Sequence, residues 1–326
     1  MIPFSKERKE YISKQIKNIS LQEIQKEYQR LIVFRVYTER FSQMLESHNL
    51  PIYDDYSFFS PYSRIGNKIV DYFTFTQRLE TKGKYNCNYF DFLQNLETFK
   101  QKKFIQNMIT YYKEVKNKKN KKNEFTVYKE IYNICISSIN ILRPLYCIEI
   151  YLKYKAKNVL NFCSGWGGTL VSACALNLKT YTGIDINTNL EIPYENMISF
   201  LKNDSKPYKC STEIKMYYED ASLFDYTKIN YDFVLSSPPY YFLEKYENNI
   251  CYSSKKEMNE KFYIPLFKNS FQGLSPGGTY IINICKEVYD NVLKPLLGDA
   301  DEIIPYKKSK KQNNYVEMVY IWFKAL

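Results

Sequence analysis

Residues 158–187, NVLNFCSGWGGTLVSACALNLKTYTGIDIN, decide the fold. NVLNFC has the length and apolar content of a short buried strand, and SGWGG after it is a glycine-rich turn. TLVSACALNL then reads as a helix, and TYTGIDI as a second strand rich in β-branched residues. A strand, a tight turn, a helix and another strand in so short a span make a parallel βαβ unit, because parallel neighbours need a crossover between them.

Toward the C-terminus the alternation continues. EIPYENMISFLKN reads as a second helix, STEIKMYYE as a third strand, DASLFDYTK as a short helix and YDFVLSS as a fourth strand. Residues 255–272 read as helix, GGTYIINIC as a fifth strand, residues 286–297 as helix and NNYVEMVYIWFK as a closing strand. This order predicts an α/β fold with a doubly wound, Rossmann-like, mostly parallel sheet covered on both faces. The last two strand candidates, Asp301 to Ile304 and Tyr315 to Phe323, have no clear helix between them, so a hairpin is expected to insert one antiparallel strand at the sheet edge.

Toward the N-terminus the pattern is helical and basic. Residues 5–48 read as helix, ended by SHNLPIYDD; residues 51–88 read as irregular; residues 89–120 read as helix, followed by one or two apolar helices interrupted at Pro144. The expected division is a mainly helical domain over 1–139, a candidate for target recognition, and the α/β domain over 140–326. Between Lys100 and Lys122 nine lysines stand against one acid, Glu114, which suits either a solvated helix face or a phosphate-tracking patch. Arg64, Lys68, Arg78, Lys82 and Lys84, interleaved with aromatics up to Tyr85, are a candidate recognition stretch or a structural scaffold.

In open sheets of this kind ligands bind outside the carboxyl ends of the strands. The first turn supplies Gly165, Gly167 and Gly168, and Asp185 follows at the end of the second strand, where a carboxylate can accept from two ribose hydroxyls. These describe an adenosine-type cofactor. The spacing is G-x-G-G where a dinucleotide site prefers G-x-G-x-x-G, and no P-loop occurs. The third strand ends at Glu219, Asp220 and Ala221, where a side chain could bond an adenine amino group. The fourth strand breaks on Ser236, Ser237, Pro238, Pro239, Tyr240 and Tyr241. Pro-Pro ends a strand, and the rings either cover the core or form an active-site platform.

In that order FCSGWGG, GIDIN, YEDAS and SSPPYY resemble the motifs of S-adenosylmethionine-dependent methyltransferases that modify exocyclic amino groups of nucleic-acid bases, cytosine N4 or adenine N6. The resemblance covers roughly residues 142–326, and the longer strings resemble especially DNA methyltransferase-like proteins of phages and large DNA viruses. It implies that Phe162, Gly165 and Gly167 hold the methionine part of the cofactor, that Asp185 with Ile186 beside it holds the ribose, and that Asp220 and Ala221 hold the adenine. Ser237, Pro238, Pro239 and Tyr240 would bind the target base, in DNA or alternatively RNA. Two positions depart from the family's usual pattern: Asn161 stands where motif I often begins with Asp, and Ser237 opens the tetrad where adenine-N6 enzymes usually carry Asp or Asn. A methyltransferase-fold subunit that only binds nucleic acid is the rival from another class.

Composition agrees with that reading. The formal charge of +11 and a pI near 9.0 suit a polyanionic partner, although Lys, Asn, Tyr, Ile and Phe are abundant together, as in AT-rich coding genomes. The eight cysteines include no C-x-x-C pair, so neither a disulfide framework nor a structural zinc site is expected, and a reducing compartment, the cytoplasm or a host nucleus, is the default. The single histidine, His48, sits between polar neighbours and reads as a surface residue. No apolar run reaches ~18 residues and MIPFSKERKE is charged early, so neither membrane span nor signal peptide is expected. The sequence names no protein partner.

Overall fold

The computed structural model describes residues 3–47, 63–116, 121–203, 210–246, 248–306 and 317–326. His48, the aromatic residues 51–62 and four residues of the lysine-rich run, 117–120, lie outside the described residues.

The N-terminal part is built from α1 (Lys6–Ile16), α2 (Leu21–Ser47), α3 (Asn67–Glu80), α4 (Tyr89–Gln94), α5 (Leu96–Lys100), α6 (Lys103–Tyr111) and α7 (Glu124–Cys135). The single helix expected over 5–48 is broken at Ser20, whose hydroxyl accepts from the Glu23 N–H while the Glu23 carboxylate accepts from the Ser20 N–H. That capping box starts a new helix. The stretch expected to be irregular contains α3, because Ile69, Val70, Thr74, Phe75, Arg78 and Leu79 fall on one helical face and are buried. Its β-branched and aromatic content concealed the period. Residues 89–116 divide into three short helices and a π-helical turn, Tyr112–Lys116.

The remainder runs α8 (Pro144–Lys153), β1 (Asn158–Asn161), α9 (Gly168–Leu176), β2 (Thr180–Ile184), α10 (Glu191–Leu201), β3 (Glu213–Tyr217), β4 (Phe233–Ser236), α11 (Lys255–Met258), α12 (Ile264–Gln272), β5 (Thr279–Ile284), α13 (Lys286–Val288), α14 (Lys294–Leu297), β6 (Glu302–Pro305) and β7 (Met318–Phe323). Pro144 begins α8, where its missing N–H costs nothing. The helix expected in DASLFDYTK shrinks to a single turn, Tyr226–Lys228, capped by the Asp225 side chain.

The sheet has the order β3-β2-β1-β4-β5-β7-β6. β1 to β5 are mutually parallel, and β7 runs antiparallel to both β5 and β6. The closing hairpin therefore places its antiparallel strand between β5 and β6. This is a doubly wound, Rossmann-like sheet, mostly parallel. Alternate side chains bury on opposite faces: Val159, Phe233, Leu235 and Ile281 on one, Leu160, Val234, Tyr280 and Ile282 on the other.

The first face is covered by α8, α9 and α10 and also by Ile24, Tyr28 and Leu31 of α2 and Ile69 and Val70 of α3, so one core crosses residue 139. A separate core under α1, α4, α6 and α7 holds Tyr89, Phe90, Phe92, Ile105 and Ile131. The strand order changes direction at β1 and β4, and the crevice at their carboxyl ends is where the site lies.

Candidate active site

The loop after β1 is held by bonds that its own sequence neighbourhood supplies. The Ser164 N–H donates to the Ile184 carbonyl at 2.9 Å, which lays the loop across the end of β2. Asp185, the first residue beyond β2, accepts from the Gly165 N–H at 2.6 Å and from the Asn187 N–H at 2.9 Å. Burial pushes its carboxyl up to about 6, against the lowering effect of these two bonds.

Asn161, 2% exposed, accepts from the Cys163 N–H at 3.2 Å and donates to Thr169 Oγ1 at 2.8 Å. The amide thereby orders the loop where the resembled family often carries a carboxylate. Tyr194 of α10 donates its hydroxyl to the Ser164 carbonyl at 3.0 Å. Gly168 begins α9 where a Cβ would stand 1.9 Å from the Leu142 carbonyl oxygen, so only glycine permits that close approach.

One cavity of about 360 Å³ opens at these strand ends. Phe162, Gly165, Asp185, Ile186, Asp220, Ala221, Ser237, Pro238, Pro239 and Tyr240 all line it. Gly167 is outside the wall: it caps α9 with φ 91°, and a Cβ there would point at Met197. The wall suits an adenosine-type cofactor with a charged tail. At Gly165 a Cβ would meet nothing nearer than the Cys163 carbonyl at 3.8 Å, leaving an open cradle over exposed backbone. Asp220 Oδ1 accepts from the Ser222 N–H and hydroxyl, both at 2.8 Å, while Oδ2 accepts from none of the described residues and is available to an amino group.

The tetrad is held from farther away. Ser237 Oγ donates to Asn283 Oδ1 at 3.2 Å, and the Asn283 amide is oriented by donating Nδ2 to the Met318 carbonyl at 3.0 Å. The Tyr240 hydroxyl lies 3.2 Å from the same Asn283 oxygen and donates to the Glu317 carboxylate. Tyr263 donates its hydroxyl to the Pro239 carbonyl and accepts from the Tyr241 N–H at 3.0 Å.

Two acceptors result. The Ser237 proton is directed at Asn283, which leaves the hydroxyl lone pairs for an incoming donor. The Pro238 carbonyl accepts from none of the described residues. Both residues line the cavity.

Asn283, Glu317 and Tyr263 were not singled out by sequence. Asn283 had a signal: it is the polar residue of TYIINI, a strand buried at every position, and a buried amide needs partners. Glu317 and Tyr263 carried none, because their roles depend on β7 lying beside β5 and on the turn between α11 and α12.

The other candidates divide. Trp166 lines the cavity and packs on Tyr246. Cys163 lines it too, and burial raises its thiol well above its usual range. Tyr241 is buried against Tyr263, whereas Phe242 is 44% exposed. Arg78 is buried and paired with Asp71, which also holds Lys17, so it belongs to the scaffold; Lys68 pairs with Glu23, and Lys84 lines the cavity. Among the described residues no group of His, Cys, Asp and Glu is placed to hold a metal ion, and no helix is long and apolar enough to cross a membrane.

No protein-family profile and no protein of curated function matches this sequence. Among solved structures, a methyltransferase homolog from Pyrococcus horikoshii is similar at 13% identity and a TM-score of 0.39, over 55% of this chain and 66%, just under two thirds, of that one. An rRNA methylase from Streptococcus thermophilus is similar at 14% identity and a TM-score of 0.38, over 58% of this chain and 100% of that one.

Proposed function

We propose that this chain is an S-adenosylmethionine-dependent DNA methyltransferase that acts on an exocyclic amino group, cytosine N4 or adenine N6. The observation that carries the proposal is the pair of acceptors, Ser237 Oγ and the Pro238 carbonyl, on two residues that line the cavity together with Gly165, Asp185 and Asp220.

Asp185 would accept from the ribose hydroxyls, Asp220 Oδ2 with Ala221 would meet the adenine, and the cradle at Gly165 would take the methionine end. When bound, this cofactor supplies a methyl group on a positively charged sulfur. An aromatic exocyclic amine is a poor nucleophile, since its lone pair is delocalised into the ring. Donating its two N–H bonds to Ser237 Oγ and the Pro238 carbonyl favours a tetrahedral nitrogen with the lone pair turned toward the methyl donor. Held in this way, the amine nitrogen would take up the methyl group that the cofactor supplies and release one of its protons to solvent.

Proline has no N–H to compete for the amine and stiffens the carbonyl in place, so the geometry is set before substrate arrives. Tyr240, fixed by Asn283 and Glu317, would stack on the extruded base. No histidine base is required. Aromatic amino groups occur in RNA as well, so RNA is a parallel substrate arm.

The test is labelled-methyl transfer from S-adenosylmethionine to DNA and RNA by the full chain. Incorporation into DNA that Tyr240→Ala abolishes supports the proposal. Binding of DNA with no incorporation into either polymer identifies a nucleic-acid-binding subunit instead.

A further inference from the structure

We propose that the turn Lys84–Asn86 at the cavity mouth is a second nucleotide site, where Tyr85 stacks on the base next to the one that enters the cavity and Lys84 and Lys102 contact phosphates. The substrate is then an unpaired polynucleotide strand. The inference rests on the function proposed above and names its substrate class.

The turn is held by its surroundings in an uncommon backbone conformation. Tyr85 at φ 61° and Asn86 at φ 50° are consecutive left-handed residues with side chains, a conformation that persists only where its surroundings impose it. The surroundings do so. Gly83 donates to the Cys87 carbonyl at 3.1 Å across the turn, and Tyr132 donates its hydroxyl to the same carbonyl at 2.9 Å from a buried position. Gly83 lies so close to Ser137 of the cavity wall that a Cβ would stand 2.1 Å from the serine Cβ.

Lys82 exchanges two backbone hydrogen bonds with Lys245, at 3.0 and 2.9 Å, which ties the turn to the loop that follows the tetrad. The turn is thus in register with both sides of the cavity mouth. Its product is a ring left outside: Tyr85 is 61% exposed, and the described contact on its face is Lys102, with Nζ 5.3 Å from the ring centre.

An exposed tyrosine next in sequence to Lys84 of the cavity wall, with Lys102 over the ring, has the composition of a single-strand platform. Neither lysine pairs with an acid among the described residues. The ring can stack only on a base with an open face, which a paired and stacked duplex does not offer.

The experiment is fluorescence anisotropy of the full chain with short labelled single strands of DNA and of RNA, and with a duplex, across a salt series. Cofactor affinity and methyl transfer are measured on the same samples. Tyr85→Ala is expected to weaken binding of the methylated single strand about tenfold while Tyr85→Phe retains it. Lys84→Ala and Lys102→Ala are each expected to reduce the slope of log affinity against log salt by about 0.7. Cofactor affinity is expected to stay the same in Tyr85→Ala and Lys102→Ala, whose residues do not line the cavity.

Wild-type single-strand affinity in Tyr85→Ala overturns the inference, as does binding of the duplex more tightly than the strand. Either result leaves the proposed function standing if the wild type transfers methyl groups. Tyr85-dependent strand binding without any transfer removes the function and keeps the site.

Discussion

Around the glycine loop many of the supporting hydrogen bonds come from near neighbours, Thr169 with Asn161, Gly165 with Asp185 and Asn187 with Asp185, joined by single bonds from Thr74 on α3, Tyr194 on α10 and Ser236 on β4. Around the tetrad they come from distant segments: Asn283 on β5, Glu317 just before β7 and Tyr263 between α11 and α12. The core of the cofactor half is thus largely a local device, with Asp220 and Ala221 after β3 and the bonds from Thr74, Tyr194 and Ser236 added by the rest of the fold. The target half exists only once the sheet has closed on its far side. The two halves are expected to fail separately when mutated.

The largest effect is expected at the tetrad. Tyr240→Ala removes the ring that would hold the base and the hydroxyl fixed by Glu317; transfer should fall by roughly 10²–10³-fold with cofactor affinity unchanged by calorimetry. Equal turnover would break the comparison at its centre. Next is Asn283→Leu, which removes the group that orients both Ser237 and Tyr240 while leaving Gly165, Asp185 and Asp220 in place. A fall in kcat on the order of 10²-fold is expected, again with unchanged cofactor affinity. Weakened cofactor binding in this variant would show that the halves are not separable.

The converse variant is Asp185→Ala, where cofactor affinity should drop roughly 10–150-fold, the range of a hydrogen bond to a charged acceptor. The pH dependence has a definite sign. Asp185 must be ionised to accept from two hydroxyls, so wild-type cofactor affinity should fall as pH drops through about 6, and Asp185→Asn should flatten the profile. The same raised pKa makes the folded chain hold this proton more tightly than the unfolded one, with its ordinary value of 3.8; the resulting stabilisation is present below pH 3.8 and lost as pH rises through about 6. The smallest effect is Gly168→Ala, which drives a methyl into the Leu142 carbonyl and should cost about 1–3 kcal/mol of stability, read as a lowered Tm.

The contrast between the halves also explains what was legible in the sequence. The strands, their order of appearance and the crossover helices were readable because each carries its own period and punctuation, and the closing hairpin followed from the missing helix before Tyr315. The motif residues could be picked out because they sit at strand ends, and all of them but Gly167 line one cavity. Asn283 escaped because its partners, Ser237 and the Met318 carbonyl, are 46 and 35 residues away and meet it only through the pairing of β5 with β4 and β7. α3 escaped because its buried face is made of residues that also favour strands. The boundary expected at residue 139 marks a change of composition, while the core under α2 and α3 runs across it.

The central claim is that an amine sits between Ser237 Oγ and the Pro238 carbonyl. The most direct measurement is nucleoside mass spectrometry of DNA and RNA methylated by the wild-type chain from isotope-labelled S-adenosylmethionine. The account predicts the label on an exocyclic nitrogen, as N4-methylcytosine or N6-methyladenine in the DNA. A label on a ring carbon, a ring nitrogen or a ribose oxygen would contradict it.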